Sequence, residues 1–356
     1  MNILLITDEY PPKGGGAGVV AKQFYSDCLN RGINVDIITI SDLSGLNKKL
    51  LWLSIFISRI KNINIKKYDK VICNDLRAIA ACGYALSREE LKKTRVIIHG
   101  SENKIIYENP SILTKCLFLK KSFNRVLENC DKIFFVSNFL RKEYIDNKVG
   151  CFYHNHIKEK IFVAYAGIEN NWFNAKKKLL DNKSDTIKFV TVSRVVKSKG
   201  FLDILHSLVD LKKSGKKLSW DIYGTGKDFE YIKNCVLKSE LNSDVTFHGY
   251  TEKEHLYNKL SNYDIFTILP QAQESFGLVF VEAASVGIPS ISFNKYGIVE
   301  SIDNNKSGVL INSVQDFESA VEHIIKNYND FSKGAVEYSC RFKSSLFVDR
   351  LCVEYD

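Results

Sequence analysis

Two glutamates, Glu274 and Glu282, stand with seven residues between them in QESFGLVFVEAASVGIPS, where Gly277 lies between the pair and Gly287 and Pro289 follow. A helix opening near Phe276 sets Glu274 ahead of its first turn and Glu282 about two turns further on. That separation does not suit two carboxylates sharing one proton. It suits two acceptors that take hydrogen bonds from hydroxyls on different parts of one ligand. The helix N-terminus near Phe276 and Gly277 favours a negative charge on the same ligand. The plainer alternative is one acid facing a helix dipole and a second on a solvated face.

Two cations precede this motif. Arg194 and Lys199, in VSRVVKSKG, follow an apolar run, so both can project from a strand end toward one anion, for which a pyrophosphate is the obvious candidate. Solvated loop charges are the competing account. Near the amino terminus, Gly14, Gly15, Gly16 and Gly18 form a loop without side chains to block a ligand, so backbone N–H groups and the following helix can approach a phosphate. The loop has neither the Walker lysine nor the dinucleotide G-x-G-x-x-G spacing, and a tight turn explains it equally well.

The elements that must position these residues alternate. NILLITD, VDIITI, DKVICND, RVIIHG, KIFFVS and IFVAYAGI are short apolar runs separated by helical or polar stretches, as a doubly wound parallel sheet requires. A polar, lysine-rich segment between about Asn174 and Thr186 breaks the pattern, which restarts with IKFVTVSRV, WDIYGTG, VTFHGY, YDIFTIL, IPSISF and SGVLI. Two Rossmann-like domains are expected, residues 1–174 and 182–334, with an amphipathic segment at about 335–356 packing back on the first. A cleft between two such domains is the default ligand site.

Composition bounds the rest. A chain of 356 residues with 45% hydrophobic and 26% charged residues is ordinary for a globular protein of more than one core. Lys and Arg number 50 against 41 Asp and Glu, a net +9 that favours anionic partners without naming one. Nine cysteines without metal-ligand spacing, and an amino terminus that reads as a strand instead of a signal peptide, lead us to expect a cytoplasmic chain with free thiols. His154 and His156, in CFYHNHIK, lack further ligands for a metal. LLWLSIFISRI, Leu50 to Ile60, is too short to span a membrane and is flanked by lysines. It reads as a buried helix or, alternatively, as a basic interfacial one.

Together, PPKGGGAG, the IIHG strand end, NCDKIFFVSNFLRKEY, VSRVVKSKG, YGTG, VTFHGY and ESFGLVFVEAASVGIP occur in an order that resembles glycosyltransferase family 4, retaining enzymes of the GT-B fold. The resemblance implies two Rossmann-like domains and a nucleotide-sugar donor. Glu274 would bind donor-sugar hydroxyls, Glu282 the nucleotide ribose, and Arg194 and Lys199 the diphosphate. Ser275, Phe276, Gly277 and Leu278 match a segment whose backbone amides approach sugar and phosphate. Gly15 and Gly16 border the donor phosphate, and Gly224 of YGTG falls in the same donor-binding set. His99, at the end of RVIIHG, matches a histidine beside the transferring sugar, although a histidine satisfied at a strand end is the bland reading.

Two departures from the family pattern stand out. Ala166, Gly167, Ile168 and Glu169 replace a common Asn-Gly-Ile-Asp, and Ser193 replaces a glycine before the arginine. The resemblance further implies transfer without a metal cofactor, a glycan or lipid-linked acceptor of bacterial surface-glycan synthesis, no nucleic-acid partner, and a site of action at the inner face of the membrane. A nucleotide-sugar epimerase of the same fold, a non-catalytic anion-binding or membrane-binding protein and an NAD-dependent oxidoreductase are the competing readings.

Overall fold

The computed structural model describes residues 1–11, 15–45, 51–175 and 185–352. They divide into two compact units, Met1–Gly167 with Ser344–Asp356, and Ile168–Lys343. The first unit is built on β1 (Asn2–Thr7), β2 (Asn34–Thr39), β3 (Lys70–Cys73), β4 (Thr94–Ile98), β5 (Lys132–Phe135) and β6 (Ile161–Val163), all parallel, in the order β2-β1-β3-β4-β5-β6. Helices cover its faces, so Ile3, Leu4, Leu5 and Ile6 are all buried, which is why this strand reads as a continuous apolar run instead of an alternating one.

The second unit repeats the plan with β7 (Thr186–Val192), β8 (Lys217–Tyr223), β9 (Val245–Gly249), β10 (Ile265–Thr267), β11 (Ser290–Phe293) and β12 (Gly308–Ile311), in the order β12-β11-β10-β7-β8-β9. Its core gathers Phe189, Phe201, Trp220 and Ile291 with the helices Phe201–Lys213 and Phe317–Lys326. Polar groups inside this core are paired across strands: Trp220 Nε1 donates to Thr191 Oγ1 at 3.0 Å, and that hydroxyl donates to Thr267 O at 2.6 Å.

In both sheets the strand order reverses once, between β1 and β3 in the first unit and between β7 and β10 in the second. The connections from the two strands flanking such a reversal leave on opposite faces and open a crevice at the carboxyl ends, where open α/β sheets bind ligands. All the site residues picked out above, apart from Glu282, lie on or beside carboxyl-end loops of these sheets.

Several local details differ from expectation. The division of the chain falls at Gly167 and Ile168, ahead of the lysine-rich segment, whose residues 176–184 are outside the described residues. The short helix Asn170–Asn174 goes with the second unit because Trp172 is buried against Tyr257, and Ile168 N donates to Phe342 O. The return to the first unit starts at Ser344, not near residue 335. Helix Tyr328–Ser339 stays on the second unit, whereas Ser344–Cys352 lies against Gly16–Asn30 through Phe24 and Phe347. The apolar segment near Leu50 forms helix Trp52–Lys61, which turns Trp52, Leu53, Phe56 and Ile60 inward as core, while Leu51 is half exposed. Leu50 itself lies outside the described residues.

Candidate active site

In the second unit the loops after β7 and β10 are locked together at the strand-order reversal. Gly200 adopts φ +75°, and a Cβ there would sit 1.9 Å from Leu269 O; alongside, Gln271 N donates to Ser198 O at 2.8 Å. This close backbone approach brings the two partners into contact: Lys199 Nζ forms an ion pair with the Glu274 carboxylate, both side chains being partly buried. Gly297 packs beneath the same segment, its N–H donating to Glu274 O at 2.9 Å, where any Cβ would strike Ser275 O.

The helix after Glu274 runs Leu278–Ser285, two residues later than the expected start near Phe276, because Gly277 takes φ +93° as its N-cap. Phe276 is buried and packs on Phe342, with ring centroids 5.1 Å apart, which pins the loop ahead of the helix. Glu282 is not on a solvated face. It is 5% exposed, and its Oε1 meets Lys253 Nζ at 2.6 Å. Burial works against the Lys253 ammonium, but the Glu282 carboxylate, helped by Glu169 and Glu254, more than offsets it and holds the lysine above its ordinary pKa.

Arg194 and Lys199 do not converge on one partner. Arg194 is exposed, and among the described residues no ion pair involves it, whereas Lys199 is engaged by Glu274. The Arg194 loop is nonetheless fixed from below: Gly224, at φ +140°, lies where a Cβ would be 1.8 Å from Ser193 O, and Val195 N donates to Thr225 O at 2.9 Å. Ser193 thus shapes the loop through its backbone.

In the first unit, a buried polar network ties β1, β3 and β4 together. Asn74, just past β3, donates through Nδ2 to Ala17 O at 2.9 Å and to Thr7 Oγ1 at 3.2 Å. Its carbonyl therefore faces the other way, and His99 Nε2 lies 3.2 Å from Asn74 Oδ1. An amide oxygen can only accept, so Nε2 carries the proton. Burial pushes the His99 pKa down to about 4, against the opposing pull of Asn74, and keeps the ring neutral at physiological pH. Glu102, 1% exposed, accepts from His99 N at 3.0 Å and Gly100 N at 2.7 Å and so shapes the turn that carries the ring; burial raises its pKa.

Asp75 plays the same part beside β1. It caps helix Leu76–Ala85 by accepting from Ala78 N, takes a hydrogen bond from Thr7 Oγ1 at 2.7 Å, and has its pKa raised by burial. Gly15 N donates to Glu9 Oε2 at 2.6 Å, so the loop amide already faces a carboxylate. Neither Gly15 nor Gly16 has a positive φ; Gly16 has nothing within 4 Å of a notional Cβ, and Gly14 is outside the described residues. His154 and His156 lie with ring centroids 5.7 Å apart and planes tilted by 31°, and among the described residues no group of three or more His, Cys, Asp or Glu side chains is placed to hold a metal.

Asn74, Asp75, Glu102 and Lys253 were not singled out from the sequence. Asp75 offered the one local signal, an acid three residues ahead of a helix interior. Glu102 serves the turn just before it, through His99 N and Gly100 N, whereas Asn74 and Lys253 take their roles from partners distant along the chain.

Comparison with known proteins agrees with this architecture. Residues 171–338 match the family model described as glycosyl transferases group 1. The GtfA subunit of UDP-N-acetylglucosamine–peptide N-acetylglucosaminyltransferase from Streptococcus pneumoniae is 22% identical over 261 residues, 72% of this chain and 48% of that protein. The amylovoran biosynthesis glycosyltransferase AmsK of Erwinia amylovora is 28% identical over 197 residues, 54% of this chain and 46% of the other. The chain thus spans about half the length of these two relatives. N-acetyl-alpha-D-glucosaminyl L-malate synthase of Bacillus anthracis is 22% identical over 327 residues, 84% of this chain and 81% of that enzyme. Among solved structures, sucrose-phosphate synthase from Thermosynechococcus elongatus superposes with a TM-score of 0.75 at 17% identity, covering 98% of this chain and 96% of the other. HepE of Anabaena, in complex with UDP and glucose, gives 0.69 at 15% identity with 98% and 97% covered. The chain therefore has the GT-B fold, its second unit matches the glycosyl transferases group 1 family along most of its length, and glycosyltransferases are its relatives.

Proposed function

We propose that the chain is a retaining glycosyltransferase that moves a hexose-type sugar from a nucleotide-diphosphate donor to an acceptor hydroxyl, without a divalent metal. The observation that carries this reading is the Lys199–Glu274 pair at the strand-order reversal of the second unit, with Glu282 held below on the adjoining helix. A donor diphosphate would take over Lys199, releasing the Glu274 carboxylate to accept from sugar hydroxyls, while the exposed Arg194 guanidinium closes on the phosphates. Glu282 would accept from the ribose. As the anomeric carbon–oxygen bond breaks, negative charge gathers on the departing diphosphate, and Lys199, Arg194 and the N-terminus of helix Leu278–Ser285 would stabilise it. The acceptor oxygen bonds to the anomeric carbon on the face the diphosphate leaves, and the hydroxyl proton passes to a diphosphate oxygen. His99, neutral and with its Nε2–H committed to Asn74, would accept a hydrogen bond from a sugar hydroxyl at Nδ1 but form no covalent bond.

The structure of HepE with UDP and glucose supports a uridine or related nucleotide as donor, and AmsK, named for amylovoran biosynthesis, supports a role in glycan synthesis; the acceptor we propose is a surface-glycan or lipid-linked precursor at the cytoplasmic side of a membrane. The test begins with a thermal-shift panel of UDP-, GDP-, ADP- and TDP-sugars, since the donor stabilises the fold by mass action. The stabilising donor is then incubated with lipid-linked acceptors in chelator, and the product's anomeric configuration is read by proton NMR. Stabilisation by no sugar nucleotide, or full transfer by Glu274→Gln and Lys199→Ala alike, would overturn the assignment.

A further inference from the structure

On the first unit, away from the polar network around His99, the segment between turn Asn103–Glu108 and helix Leu119–Asn129 presents apolar side chains to solvent. Ile112 is 82% exposed and Phe118 68%, with Ile105 and Leu113 also exposed. They flank a groove of about 700 Å³ lined by Ile106, Pro110, Thr114 and Asn124. These are not core residues left without a core. Helix Leu119–Asn129 already buries Leu119, Phe123, Val126 and Leu127 on its inner face. Phe118 holds a left-handed backbone, φ 46°, a conformation disfavoured for an aromatic residue, with its ring outside.

Charge surrounds this apolar ridge. Lys104, Lys115, Lys120 and Lys121 are exposed, and among the described residues none of them is in an ion pair. The same stretch, residues 103–121, carries a single acid, Glu108. Bulky apolar tips ringed by unpaired ammonium groups match one environment in particular: an anionic bilayer, where hydrocarbon lies below a plane of phosphates. A nucleic acid would meet the lysines but leave Ile112 and Phe118 in water. A protein partner would have to supply both an apolar pocket and a ring of acids.

We infer that the ridge Ile112–Phe118 and its lysines dock the first unit on a membrane surface of anionic phospholipid. Ile112 and Phe118 enter the acyl boundary and Lys104, Lys115, Lys120 and Lys121 contact lipid phosphates. The inference uses residues outside the proposed transfer chemistry and stands or falls apart from it.

The full chain is floated with vesicles of phosphatidylcholine, pure or mixed with phosphatidylglycerol, at low and high salt. Binding should be at least about tenfold stronger to the mixed vesicles and weaken with salt. Ile112→Ser with Phe118→Asn, the latter chosen because asparagine tolerates a left-handed backbone, should lower it by about tenfold or more, as should Lys115→Gln, Lys120→Gln and Lys121→Gln together. A Phe118→Trp variant should shift its emission to the blue on the mixed vesicles. Donor-induced thermal stabilisation should be unchanged in the variants, which separates lost docking from lost folding. Absence of binding to the mixed vesicles, wild-type binding by both variant sets, or no emission shift would overturn the inference. So would a concentration-dependent dimer abolished by the Ile112 and Phe118 substitutions, which would make the ridge a contact between copies of the chain.

Discussion

Lys253 Nζ lies 2.6 Å from the carboxylate of Glu282, and this pair is more enclosed at its acidic end than the Lys199–Glu274 pair, with side-chain exposures of 7% for Glu282 and 23% for Glu274. Glu282 lies on helix Leu278–Ser285 and Glu274 in the loop ahead of it, the first paired from helix Lys253–Leu260 and the second from the loop after β7. A buried carboxylate with a cation at hydrogen-bond distance is fixed by that contact, so Glu282 is held in one position before any ligand arrives.

Removing the cation leaves that acid uncompensated. Lys253→Met is expected to destabilise the second unit by about 1–3 kcal/mol, read by urea denaturation. The pair also sets a pH dependence. The Lys253 pKa is raised on folding, so its contribution is complete below the ordinary lysine value and fades as pH rises through the folded one. Stability should therefore fall on the alkaline side above about pH 10.5, and fall less steeply in Lys253→Met.

His99 gives the opposite slope on the acid side. Its folded pKa is depressed to about 4 by burial, so between the ordinary histidine value near 6.5 and that value the unfolded chain binds the extra proton. Stability should decline as pH falls through this window, and His99→Gln should flatten the decline in a series of denaturation curves. Asn74→Ala should remove the side-chain acceptor of the histidine and lower kcat by roughly tenfold or more with a smaller change in KM, because it loosens the ring without touching the second unit.

Gly224→Ala should be costly despite adding one methyl group. The Cβ would fall 1.8 Å from Ser193 O at a φ of +140°, so the loop carrying Arg194 must shift. A loss of about 1–3 kcal/mol, together with weaker donor-induced stabilisation, is expected from thermal unfolding with and without nucleotide. Gly16→Ala, where nothing lies within 4 Å of the added carbon, serves as the control and should be close to wild type in stability.

Arg95 is fully buried on β4, donates to Asp131 Oδ2 at 2.7 Å, and reaches Leu351 O at 2.7 Å on the returning helix. Arg95→Met should cost about 2–4 kcal/mol and expose the Ser344–Cys352 helix to limited proteolysis. Arg31→Ala, which breaks the partly exposed Arg31–Asp349 ion pair on the same helix, should cost about 1 kcal/mol or less.

The linear sequence by itself determined the twelve strands and their grouping. Fully buried parallel strands must be short apolar runs with punctuation between them, and that requirement is local. It also marked Glu274, Glu282, Arg194, Lys199 and two glycines that take a positive φ, Gly224 and Gly277, because their types and spacing show in the sequence. What only the tertiary structure decided is who meets whom. Lys199 turns to Glu274 and not toward Arg194, since Gly200 lets the β7 loop touch the β10 loop across a strand-order reversal. Glu282 is buried, since Lys253, far along the chain, compensates its charge. Asn74 meets His99, and Asp75 meets Thr7, only because three strand ends converge there, and no window of sequence holds both ends of such a contact.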